Sequence, residues 1–167
     1  NASIRGIYQQ STYATGAAGA SYNLQKNKIS LSTNITYSNG STAPFESSII
    51  NYPNITWKEQ NNRRDFLKSY SGRIGIDYQV SEKITTGFIF NAVKSDAEIR
   101  DNINSLILNP STNKLDSLID TRGKNNKERI YNSLNYHLIY KIDTIGKKLT
   151  LDFDYFDFDS ADKRLFN

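Results

Sequence analysis

The sequence predicts an all-β chain of antiparallel strands, and three observations carry that expectation. Apolar and polar residues alternate with period two over runs of about ten residues, the pattern of a strand with one face in water. The runs come in pairs joined by short turns. Aromatic residues are plentiful, with 11 Tyr and 8 Phe, although the mean hydropathy is only -0.61. A wall with one apolar and one wet face has this composition. A soluble β-sandwich with one solvated face per sheet has it too.

Three hairpins, about six strands, account for the alternation. In the first, residues 16–25 pair with 28–38. Ile29, Leu31, Thr33, Ile35 and Tyr37 share one side, opposed by Ser30, Ser32, Asn34 and Thr36. In the second, residues 70–80 pair with 84–93 across a turn at Ser81, Glu82 and Lys83. Ile74, Ile76 and Tyr78 alternate with Gly75 and Asp77, and Phe88 and Phe90 follow after the turn. In the third, residues 130–141 pair with 149–158 around Asp143, Gly146 and Lys147. Leu149, Leu151, Phe153 and Tyr155 alternate with Thr150, Asp152 and Asp154. Phe156 and Phe158 then switch parity, which reads either as a bulge or as a strand leaving an apolar layer. Residues 1–15 fix no register.

Two stretches, 39–69 and 94–129, read as long external loops rich in Asn, Ser and charge. Within them, 42–50 and 55–58 read as strand extensions or an external hairpin, and 105–108 and 115–120 as strand extensions above the membrane, a reading preferred to a helix. Ile99, Ile103 and Leu106 also allow a helix, with Ser95 and Glu98 as a capping box. Loops of this length are unusual inside a compact soluble domain. Short turns at one end and long connections at the other are the asymmetry of a membrane barrel.

Other classes find less support. The formal charge is +4, with acid and base mixed along the chain, so no nucleic-acid partner is implied. The basic group Lys58, Arg63, Arg64 and Lys68 also contains Glu59 and Asp65 and reads as a solvated loop. With no Cys and one His, disulfides and Cys- or His-cluster metal sites are excluded. No apolar run approaches the roughly 18 residues of a membrane helix, but barrel strands carry a weaker signal. There is no Met, and Asn1 begins the sequence, so a processed or excised chain is expected.

Four stretches carry a family resemblance. They are Tyr13-Ala14-Thr15-Gly16 leading into Ser21-Tyr22-Asn23-Leu24 and the strand beyond; Thr36-Tyr37-Ser38-Asn39-Gly40; Gly75-Ile76-Asp77-Tyr78 with Thr86-Gly87; and Leu134-Asn135-Tyr136 with Gly146-Lys147-Lys148-Leu149-Thr150-Leu151-Asp152-Phe153-Asp154-Tyr155. Together they make the chain resemble the barrel domain of the outer-membrane β-barrel family found in TonB-dependent receptor-like proteins of Bacteroidetes. The resemblance implies a cell outer membrane location and a receptor or transporter for nutrient uptake. Its barrel would enclose a plug and be energised through TonB. Residues 1–167 would be a partial barrel domain, with the plug and amino-terminal domains outside it. Its partners would be outer-membrane lipid, the remainder of the parent barrel and the plug. Six strands fall short of the roughly eight that close the smallest single-chain bacterial barrels.

Ile29, Leu31, Ile35, Ile74, Ile76, Phe88, Phe90, Leu134, Leu138, Leu151 and Phe153 would face lipid, with Tyr22, Tyr37, Tyr78, Tyr136, Tyr140 and Tyr155 towards the interfaces. Asp77, Asn135, Asp152 and Asp154 would face the lumen. Phe45, Tyr52 and Trp57 are the candidates for ligand contact, because aromatic faces stack on sugars and pack on siderophore or peptide groups. His137, alone on a polar face, reads as a lumen or sheet residue rather than a ligand or general base. The series Asp152, Asp154, Asp157, Asp159 and Asp162 lacks EF-hand spacing. No catalytic residue, metal site or cofactor is assigned, and an enzymatic role is not expected. The competing readings are a soluble extracellular β-sandwich that binds protein or carbohydrate, and a glycan-active enzyme using Asp152 and Asp154.

Overall fold

The structure is a computed structural model that describes residues 1–143 and 145–167. It is all-β, as the alternation predicts. The strands are β1 (Ala2–Gln10), β2 (Ala14–Lys26), β3 (Ile29–Thr42), β4 (Phe45–Asn51), β5 (Thr56–Asn62), β6 (Arg64–Gln79), β7 (Ile84–Leu108), β8 (Leu115–Lys141) and β9 (Lys148–Phe166). They form a single nine-stranded antiparallel sheet, curled into a half-barrel. The expected count of about six is therefore corrected to nine.

Register reduces the nine to seven continuous staves. Thr42 pairs with Asp65 and Phe45 with Asn62, three residues on along one strand and three back along the other. Thus β4 continues β3 and β5 continues into β6. On the other side, Arg64 faces Arg100 and Asn61 faces Ile103, again without a gained or lost residue. The interruption falls at Pro44, opposite Arg63. The Arg63 N–H donates to the Pro44 carbonyl at 3.1 Å, but proline has no N–H to return the bond. The staves then run up and down as nearest neighbours.

The two expected long loops are corrected accordingly, and the strand extensions and external hairpin considered within them are what the structure shows. Residues 39–69 and 94–129 form tall hairpins that continue the wall. Their tips are short: Tyr52 N–H donates to Ile55 O at 2.8 Å, and Asn109 caps the other tip by accepting from Ser111 N and Thr112 N. The helix considered near residue 99 is part of β7, which runs 25 residues, while β8 runs 27. The expected short turns all lie at the opposite end. Asn27 takes a left-handed φ of 53° in the first. Asp143 Oδ1 accepts from Ile145 N and Lys147 N in the last.

Rows of paired residues reveal the two faces. One row reads Leu24, Leu31, Ile76, Phe88, Tyr136 and Phe153; the next reads Tyr22, Thr33, Ile74, Phe90, Leu134 and Tyr155. All eleven residues expected to face lipid lie on this side. Gly72, on this side, would meet nothing within 4 Å if it carried a Cβ, whereas Gly87, Gly75 and Gly123 on the other side would meet neighbours from both flanking strands. The apolar side is therefore convex and the polar side concave. Leu108, at 8% exposure, is the only buried hydrophobic among the described residues, while Phe88 and Phe153 remain 51% and 68% exposed. A single curled sheet gives the convex side chains nothing to pack against.

The parity switch in β9 involves no bulge, because the register with β8 is unbroken from Lys141–Lys148 to Gly123–Phe166. Phe156 and Phe158 point to the concave side, where Phe156 packs edge-on against Tyr131 at 4.8 Å between ring centroids. Asp157 and Asp159 take over the convex side. The convex apolar run ends there, and the bulge alternative is the one the register excludes.

Candidate functional site

The concave face is where polar groups converge. Asp77, Gly87, His137 and Asp152 occupy one row across β6, β7, β8 and β9, and Asn135 and Asp154 sit side by side in the next. All four residues expected to face a lumen thus share the concave side.

Gly87 lets this row close up. A Cβ there would stand 2.6 Å from Ile76 O and 2.7 Å from His137 Cε1, besides colliding with Asp77 Oδ1. Without it, side chains from β6 and β8 meet over the top of β7, and His137 Nε2 lies 2.8 Å from Asp77 Oδ1. His137 Nδ1 is 3.3 Å from Asn135 Oδ1, and Asn135 Nδ2 donates to Asp154 Oδ1 at 2.8 Å. Both ring nitrogens thus face side-chain oxygens of neighbouring residues. His137, read from sequence as a lumen or sheet residue, lies on the concave side and is the hub of the group. The row continues onto β3 at Ser30, opposite Asp77, and no group of three metal-ligating side chains occurs among the described residues.

The three aromatic residues expected to contact ligand are not brought together. Phe45 pairs with Asn62 and Trp57 with Ile50, and Asn62 and Trp57 have opposite parity on β5. Phe45 consequently faces the convex side and Trp57 the concave side, between Ile50 and Ile107. Tyr52 lies at the hairpin tip, half exposed. Trp57 alone shares the concave face with the His137 group, and it stands far above it.

Between them lies a concavity of about 510 Å³ whose lining includes Ile7, Ala17, Leu67, Ala97 and Ile99. Sequence reasoning missed it because Ile7, Leu67 and Ile99 fall in stretches assigned no register or read as loop.

Above the apolar layer, the convex face carries ion pairs. Glu98 accepts from Lys124 and Arg100, which holds its carboxyl below the ordinary range. Glu128, hydrogen-bonded by the Lys94 ammonium at 2.7 Å, raises the Lys94 pKa. Arg64 stacks over Tyr13 and Phe66, with its Cζ 3.7 and 4.4 Å from the ring centroids. On the concave side, Asp65 hydrogen-bonds Arg63 and raises its pKa, and Glu46 adds a 3.0 Å pair.

No protein-family model matches this chain, and no curated protein matches it.

Proposed function

We propose that this chain is a wall segment of an outer-membrane β-barrel, part of a TonB-dependent receptor or transporter that takes up a nutrient through its lumen. One observation carries the reading. A convex apolar layer crosses the staves at a constant level while, among the described residues, Leu108 alone is a buried hydrophobic. Along β7 the layer runs from Ile84 to Ala92 and gives way to Lys94 and Asp96. At about 3.4 Å per residue this is roughly 27 Å of strand, near the 9–11 tilted residues that cross a bilayer.

The margins of the layer support the same reading. Tyr37 and Tyr70, ring centroids 4.9 Å apart, stand at its upper edge, next to Lys94 and Lys68. Tyr78 and Tyr140 stand at the lower edge, by the short turns. A ring with a polar tip suits that depth. Tyr22, Tyr136 and Tyr155 lie within the layer, and Tyr136 packs on Phe88 at 5.0 Å. The concave side suits a wet lumen, with Asp77, Asn135, Asp152 and Asp154 lining it.

A soluble β-sandwich would need a second sheet over the apolar face, and all nine strands belong to one sheet. At the level of the apolar layer the edges β1 and β9 are open, as β4 is above it, and backbone groups in hydrocarbon must be paired. Further strands would close them. The full-length protein should fractionate with the outer membrane, resist alkaline carbonate and show heat-modifiable mobility on gels. Recovery as a soluble monomer without detergent would contradict the proposal.

A further inference from the structure

A second polar cluster lies higher on the concave face, around Gly123 of β8. Gly123 faces Asp101 of β7 on one side and Phe166 of β9 on the other. A Cβ there would stand 3.2 Å from Asp101 Oδ2 and 3.3 Å from the Phe166 ring, so glycine leaves the floor open between a carboxylate and an aromatic face. Asn125, the next concave-facing residue on β8, is only 7% exposed. Its Oδ1 is enclosed and has no hydrogen-bond partner among the described residues. A buried acceptor left without a donor is rare in native proteins and marks a place where a ligand or water belongs.

Arg63, Lys127 and Arg164 complete a cleft of about 220 Å³. Arg63 is already held by Asp65 and Glu46, and Asp101 Oδ1 already accepts from Asn61 at 2.9 Å. Lys127 and Arg164 differ. They share one carboxylate, Asp162, at 3.9 and 3.8 Å, so two cations at the rim meet one anion through long contacts. The cleft therefore offers acceptors at its floor, an aromatic wall and a cationic rim. Its volume lies below the roughly 300–1,000 Å³ of drug-sized sites, which suits a single ring or a small acid.

We propose that this cleft binds a hydroxycarboxylate. The hydroxyls donate to the second oxygen of Asp101 and, once the Asn125 amide turns towards the cleft, to Asn125 Oδ1; the carboxylate meets Lys127 and Arg164, and the carbon face rests on Phe166. This rests on the concave side being a water-filled lumen. A uronate-bearing saccharide and a free hydroxy acid carry the same group and are the two sources to distinguish.

The test is calorimetric titration of the full-length protein in detergent micelles with trigalacturonate, citrate and neutral maltotriose. One of the two acids should bind, which identifies the source, and maltotriose should bind at least tenfold more weakly. Asn125→Leu should weaken that acid about tenfold while leaving thermal stability unchanged or raised, because the orphaned acceptor is gone. A structural asparagine would instead lose stability. The double variant Lys127→Gln, Arg164→Gln should erase the preference for acid over neutral sugar. No binding of either acid to the heat-modifiable, folded protein overturns the proposal, as does wild-type affinity in Asn125→Leu. Failure of the wild-type protein to reach the outer membrane contradicts the wall reading instead, and is read separately by fractionation.

Discussion

His137 Nε2 lies 2.8 Å from Asp77 Oδ1 across a strand to which neither residue belongs. The contact spans β7 because Gly87 carries no side chain. Gly87→Val should force the strands apart or break the pair, and overpacking of this kind costs about 1–3 kcal/mol. Urea unfolding in detergent, followed by loss of heat-modifiable mobility, measures it. His137→Gln should be milder, because an amide also spans a hydrogen bond. Equal stability of Gly87→Val and wild type would show that the row is not closed.

The two faces should respond oppositely to charge. Phe88 and Asn91 lie on the same strand, convex and concave respectively. Phe88→Arg should lower folding stability in vesicles by about 2–4 kcal/mol, the penalty for a cation on a lipid face near the bilayer midplane. Asn91→Arg should cost no more than about 1.5 kcal/mol, the usual worth of its hydrogen bond to Ser133 Oγ at 3.0 Å. Folding yield against urea in phosphatidylcholine vesicles separates the two.

Tyr131 and Phe156 join β8 to β9 from the concave side. A double-mutant cycle to leucine should return a coupling of about 0.5–1.5 kcal/mol, the range for edge-to-face aromatic pairs. Coupling near zero would place Phe156 on the opposite face and restore a bulge in β9.

Glu98 gives the fold an acid limb. Its carboxyl is depressed first by the hydrogen bond from Lys124 and then by that from Arg100. A depressed carboxylate contributes stability that is fully present above its ordinary value of 4.5 and is lost as pH falls through the lower folded value. The pair is partly exposed, so the effect is small and weakened by salt. Unfolding midpoints measured from pH 7 down to pH 3 should fall less in Glu98→Gln than in wild type.

What the sequence made legible follows from where water lies. In the layer that crosses Leu31, Ile76, Phe88 and Phe153, one face is apolar and the other wet, so period two is written plainly. Higher up, polar and apolar residues mix on both faces of the same strands. Lys68, Asp96 and Glu128 stand on one side and Ser69, Ser95 and Arg129 on the other, so no alternation marks 39–69 or 94–129 as strand. β1 is silent for another reason: Ile4 and Tyr8 face one side and Ile7 the other. The His137–Asp77 pair depends on the register of three strands at once. Its one local signal is Gly87, a strand glycine, and a strand glycine marks close approach without naming what approaches.

The alternation in β9 tests the central claim most directly. The chain has no cysteine, so single cysteines can be placed at each position from 149 to 158 of the full-length protein in intact outer membranes. A membrane-impermeant maleimide should label positions 152, 154, 156 and 158, which face the lumen, and spare 149, 151, 153 and 155, which face lipid. Equal labelling of both parities would contradict a membrane wall and favour a sheet bathed in water on both faces.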